Sequence, residues 1–268
     1  MNKARPAVPV ITATAGLATV DWPQPDALPP LPFDDLPQRE KKFARTRLGV
    51  LDALVARLDE DPFEAIVVRD LARDVGVSEG TVFNHFNHKG ELLTYFNVVW
   101  GLEVGLLTRQ LVKDETCVLP AITALFADTA KRVVAHPTAM LELIAHQARM
   151  PIHSTLPEIT PAERLLRFGR VPGILTQPAS GLEVVLPRLV VRATETGELP
   201  PHADVTQLTL ALASTLLGVP LLLGRRQPEA VGACYSAQLA LIWAGAREVP
   251  QEMSDTYPVP KSPEQYTG

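Results

Sequence analysis

The side chains best able to recognise another molecule crowd into residues 78–85, SEGTVFNH, with Lys89 just beyond. Ser78 occupies a helix N-cap position, where a hydroxyl accepts an orphan backbone N–H, worth about 1 kcal/mol. Val77 before the cap and Val82 after it have the spacing of a hydrophobic staple, which sets the angle at which the helix leaves the turn. Gly80 has no Cβ, so another backbone can approach closely. Thr81 offers a hydroxyl and a methyl for a base edge or a thymine methyl, and Asn84 suits an adenine or a phosphate. His85 and Lys89 are placed to meet phosphates, with Phe83 partly exposed beside them. This is recognition chemistry rather than bond-making chemistry. The chain has no glycine-rich phosphate loop, no nucleophile elbow and no carboxylates paired in a cleft, which argues against an enzyme.

Elements around these residues are predicted from apolar periodicity. A first helix covers about Gln38–Leu58 and a second about Val68–Val75. Gly76 is suited to the left-handed residue that ends a helix. The third helix covers Ser78–Phe86, and Leu71, Val75, Val82 and Phe86 form a small shared core. Arg39, Lys41, Lys42, Arg45 and Arg47 open the first helix, opposed only by Glu40. Lys42 and Arg45 are the leading phosphate candidates there, supplying a salt-dependent, sequence-independent attraction. A fourth helix, His88–Lys113, is apolar on nearly every side and must be covered all round. Further helices are predicted at about Leu119–Ala135, Pro137–Met150, Ala162–Phe168, Leu182–Thr196, Asp204–Leu223 and Pro228–Arg247, with kinks at Pro187 and Pro220.

The stretch LARDVGVSEGTVFNHFNHKGELL, with the helix from about Arg39 before it, closely resembles the TetR/AcrR family of bacterial repressors over roughly Gln38–Phe96. The rest is similar only as architecture, with GELPPHAD before the penultimate long helix also in the manner of that family. The resemblance implies a homodimer, a third helix lying in the major groove, and a ligand in the C-terminal domain. It implies DNA contacts from Ser78, Gly80, Thr81, Phe83, Asn84, His85 and Lys89. Three positions depart from family usage. Phe83 stands where Tyr is frequent, so a phenolic hydroxyl to phosphate is missing. Glu79 replaces a small or basic residue, and Val67 replaces a capping Thr.

The chain has 268 residues, 46% of them hydrophobic, and a net charge of −5. It is therefore not a basic, nucleic-acid-coating protein, and any DNA contact must come from a local patch. Cys117 and Cys234 lack partner spacing and fit a reducing cytosol. No charged-then-apolar leader opens the chain, and the apolar run Leu208–Leu223, interrupted by Pro220, reads as a buried helix rather than a membrane span. The expected location is the bacterial cytoplasm, associated with the nucleoid. The expected fold is all-α: a three-helix helix-turn-helix head over 37–88, then a helical ligand-binding and dimerisation domain over 89–249. A disordered Pro-rich arm (1–36) and a flexible tail (250–268) flank them.

Two features of the C-terminal domain carry expectations. Ala233, Ala237, Ala240 and Ala244 form a small-residue stripe on the last helix, matched by Ala211 among Leu208 and Leu212 on the one before. Such stripes suit close pairing with twofold copies in a four-helix bundle. A pocket for a lipophilic effector is expected among Trp100, Val104, Leu107, Leu143, Ile144, Phe168 and Ile174, with polar tips from His146, Gln147, Arg149 and His153. No histidine has metal-ligand spacing, and no metal or cofactor is assigned. The combined reading is a ligand-responsive repressor on a pseudo-palindromic operator. The alternative is a small-molecule binding or interaction protein with a degenerate head.

Overall fold

The computed structural model describes residues 31–112, 117–150, 156–179 and 181–248. Residues 1–30 of the expected arm, the whole expected tail (250–268) and His153 lie outside them. Among the described residues the chain is all-helical, with no strand. The helices are α1 (Gln38–Leu58), α2 (Val68–Val75), α3 (Glu79–Phe83), α4 (Glu91–Leu111) and α5 (Leu119–Ala135), then α6 (Pro137–Arg149), α7 (Pro161–Phe168), α8 (Leu182–Glu195), α9 (Val205–Leu223) and α10 (Val231–Glu248).

The first three helices bury Leu51, Leu54, Leu58, Leu71, Val82 and Phe86 almost completely. Gly76, at φ 73°, ends α2 in the left-handed region and returns its N–H to Ala72 and Arg73. α3 is shorter than the expected Ser78–Phe86. Phe86 must turn into the core, and the Asn87 N–H is taken by the Glu91 carboxylate at 2.6 Å, so the chain turns instead of coiling on. α4 starts at Glu91 rather than His88 for the same reason, with the His88 ring accepting the Glu91 N–H at 3.2 Å.

Folding also begins before residue 37. Phe33–Asp35 forms a 3-10 turn, Lys41 donates to the Asp34 carbonyl at 2.7 Å, and the Arg45 guanidinium lies over the Phe33 ring. Neither proline breaks its helix. Pro187 sits early in α8, where only one carbonyl loses its partner, and α9 continues through Pro220 to Leu223.

Two apolar cores result. One joins α5, α8, α9 and α10 around Trp100 and Val104 of α4. The other contains the head, most of the buried face of α4, and Leu165 and Ile174 beyond it. The head therefore shares its core with α4 and α7 instead of standing on a linker.

The join is sealed by a buried ion pair, Arg47 of α1 to Glu163 of α7 at 3.2 Å, with side chains 6% and 0% exposed. Glu163 also accepts from the Tyr95 hydroxyl at 2.5 Å, from the Thr160 N–H and from the Thr160 hydroxyl, both at 2.7 Å. The bond from the Thr160 N–H, with the Glu163 N–H donating back to the Thr160 hydroxyl at 3.3 Å, makes a capping box that opens α7. Arg47 lies over the rings of Phe43, Phe86 and Tyr95.

α9 is long and apolar enough to cross a membrane by length and composition, yet it packs within the helical body and only 28% of its apolar window is buried. The expectation of a buried helix thus holds for one face. Leu208, Leu212 and Leu216 point inward, while Leu210, Leu221 and Leu222 are 49%, 56% and 78% exposed.

Candidate nucleic-acid interface

Ser78 caps α3, its hydroxyl accepting the Thr81 N–H at 3.1 Å and sharing a 2.8 Å hydrogen bond with the Thr81 hydroxyl. Val77 and Val82 both join the head's apolar cluster. α3 then presents an exposed polar edge of Ser78, Glu79, Gly80 and Asn84, with the Phe83 ring 44% exposed beside it. A Cβ on Gly80 would meet only the Ser78 hydroxyl, at 3.9 Å, so the space beyond this glycine is open. Val67, at the N-cap of α2, supplies no side-chain cap and is itself 47% exposed.

Two expected phosphate contacts are placed otherwise. His85 is half-buried, edge-on to the Phe43 ring at 4.7 Å, and its Nδ1 is buried without a partner among the described residues. Burial first, and the Arg47 charge second, push its pKa below the ordinary 6.5. A neutral, inward-packed imidazole is a poor phosphate ligand. Lys89 donates to the carbonyls of Phe63 and Glu64, the latter at 3.1 Å, with its ammonium over the Phe63 ring. The head's own loop holds that charge.

The basic cluster on α1 divides by helical phase. Arg39, Lys42 and Arg45 are exposed, whereas Lys41 and Arg47 are buried and satisfied internally. The Phe43–His85 contact brings this end of α1 alongside the end of α3, so the exposed cations and the exposed polar edge belong to one region of the head.

The expected pocket residues scatter. Val104 and Leu143 are sealed in the core. Gln147 donates to the Asn97 side chain, and Leu107 and Phe168 are half-buried outside the cavities described. His146 lines a different cleft of about 490 Å³, with His88, Glu91 and Arg149, and hydrogen-bonds the Thr94 hydroxyl at 2.9 Å.

Trp100 lines a cavity of about 510 Å³ that sequence reasoning misses because α1 of the head forms one wall. Its floor is apolar: Leu51, Val55, Phe96, Val99, Trp100 and Met140. Asp52, Asp59 and Glu60 stand at its mouth. Glu103 receives Arg132 at 2.5 Å and Arg167 at 3.0 Å, and Arg167 also reaches Asp52 at 2.9 Å.

Of the expected subunit contacts, Leu208 and Leu212 face the chain's own core, 9% and 0% exposed, and Ala211 is half-buried. The α9 row that faces out is the other one. Ala233, Ala237, Ala240 and Ala244 of α10 are exposed, and Leu241 among them is 66% exposed.

Residues 50–96 match the model of the bacterial regulatory proteins, tetR family. No curated protein matches the chain. Solved structures do. One, reported as the molecular basis for control of antibiotic production by bacterial hormones, is 17% identical and superposes with a TM-score of 0.56 over 75% of this chain and 97% of its own. Another, a protein of unknown function from Rhodococcus sp. RHA1, is 19% identical with a TM-score of 0.53 over 76% of this chain and 96% of its own. At such identities the likeness is one of fold.

Proposed function

Because the chain carries the helix-turn-helix head of the tetR family of bacterial regulatory proteins on an all-helical body, we propose that it is a ligand-responsive transcriptional repressor, not an enzyme. It would bind a pseudo-palindromic operator in the cytoplasm as a homodimer. The observation that supports this best is the capped α3, with Gly80, Phe83 and Asn84 exposed and three exposed cations on the adjacent end of α1. Cations position such a head on phosphates, and α3 reads base edges. The outward apolar row of α9 and the small-residue face of α10 suit pairing with a second copy, which would cover Leu221, Leu222 and Leu241. Two heads on one dimer would then read half-sites about one DNA turn apart, roughly 34–36 Å. A ligand would act by preferring one spacing of the heads, shifting DNA affinity by no more than its differential binding. A fold neighbour concerned with hormone control of antibiotic production is consistent with a small-molecule signal.

Selection of bound sequences from random DNA tests the reading. Enrichment of a palindrome, with binding weakened by Asn84→Ala and Thr81→Ala, is expected. Failure to enrich any sequence at low salt would overturn it. That result would favour a second reading, a small-molecule binding protein with a degenerate head, which the uncapped Val67 and the internally held Lys89 and His85 support.

A further inference from the structure

We propose that the cavity between α1, α4 and α6 binds an uncharged, largely apolar molecule, and that this molecule touches head and body at once. The inference deepens the ligand-responsive reading by naming a site and a ligand class.

Size comes first: about 510 Å³ lies within the range of small-molecule sites. The floor supplies two aromatic rings, Phe96 and Trp100, and aliphatic side chains from three helices.

Charge then excludes acids. Four carboxylates line the cavity against two guanidiniums and the His136 ring, which is held by Asp59 at 2.8 Å. Both guanidiniums are already held: Arg132 by Glu103 and Asp128, Arg167 by Glu103 and Asp52. A carboxylate or sulfonate ligand would enter past Asp52, Asp59 and Glu60 and find no free cation among the described lining residues to receive it. A ketone, lactone or ester of similar size meets neither obstacle.

The wall from α1 gives the site its consequence. Leu51, Val55 and Ala56 belong to the helix that carries the phosphate-facing cations, while Phe96, Val99 and Trp100 belong to α4. A molecule between them changes the separation of α1 and α4 directly, without relay through the body.

The test is fluorescence titration of the full chain with the neutral naphthalene ketone Prodan, set against anilinonaphthalene sulfonate, an anion on the same ring system. Saturable binding at one Prodan per chain is expected, with a blue shift and no displacement by the sulfonate. Ala56→Trp, at an exposed position on the rim, should block entry while leaving the melting temperature unchanged. Absence of saturable binding, displacement by the sulfonate, or binding indifferent to Ala56→Trp would overturn the proposal. Because the titration contains no DNA, its failure leaves the operator reading standing, and failure of the DNA selection leaves this site standing.

Discussion

Replacing Glu163 with Ala should be the most damaging single change at the junction of head and body. The carboxylate is fully buried and accepts from Arg47, Tyr95 and Thr160. Truncation leaves the Arg47 guanidinium, 6% exposed, without its counter-charge. An uncompensated buried charge costs about 3–5 kcal/mol. The lost capping box adds only about 1 kcal/mol, so the stranded guanidinium decides the outcome. For a chain of this size the total of about 4–6 kcal/mol corresponds to a fall in Tm of roughly 8–24 °C. Urea denaturation at fixed protomer concentration measures it, since dimerisation would make the midpoint concentration-dependent. The paired variant Arg47→Met with Glu163→Leu removes both charges and should recover to within about 2 kcal/mol of the parent, because apolar pairs of similar volume replace buried ion pairs at little cost. Tyr95 and Thr160 would still lack their acceptor, which is why full recovery is not expected. A loss below about 1 kcal/mol for Glu163→Ala, or a double variant no better than the single, would refute the argument from burial.

Gly80→Ala should leave stability unchanged or raise it by about 0.5–1 kcal/mol, since the new methyl meets nothing closer than 3.9 Å; gel-shift titration should nonetheless show weaker DNA binding, and undiminished affinity would remove the close backbone approach from the mechanism. Substituting Arg39, Lys42 and Arg45 together should flatten the slope of log K against log salt by about 0.9 for each phosphate no longer neutralised, for all sequences alike, whereas a change in sequence preference would contradict a phosphate role. His85 has a lowered folded pKa, so its contribution is complete above the unfolded value of 6.5 and is lost as pH falls through the folded value. Melts below neutral pH should therefore drop, and His85→Gln should remove part of the drop. Leu222→Glu with Leu241→Glu should yield a folded monomer by sedimentation; a dimer surviving both changes would move the subunit contact elsewhere.

Periodicity and turn chemistry make much of this legible. α1 and α2 occupy the predicted ranges, and Ser78 caps α3. Sequence reasoning fails at side chains whose type and position disagree. Arg47 is basic, yet it shares the inward face of α1 with Ala44, Leu48 and Leu51, and its partner lies far along the chain. A signal for that partner is present: Thr160-Pro161-Ala162-Glu163 has the spacing of a capping box and announces an acid held in place. Small neighbours suggest a subunit face for Leu208 and Leu212, whereas helical phase turns them inward with Leu216. The cavity is illegible because its walls come from five different parts of the chain. No local pattern brings α1 against α4.

Glu198 has a consequence for the order in which the protein is made. From the GELPP turn after α8, its carboxylate accepts the N–H groups of Val118 at 2.5 Å and Leu119 at 3.0 Å, capping α5 from 80 and 79 residues downstream. The nascent chain thus leaves the ribosome with the start of α5 uncapped. At about 5–20 residues per second, synthesis must run on the order of 4–16 seconds before the missing acceptor emerges. Until then α5 lacks its cap, and α9 and α10, which cover its apolar face, are made later still. The body is therefore the interval of synthesis most exposed to chaperones and proteases, and the head, whose buried Arg47 is paired with Glu163, is finished only once α7 has emerged.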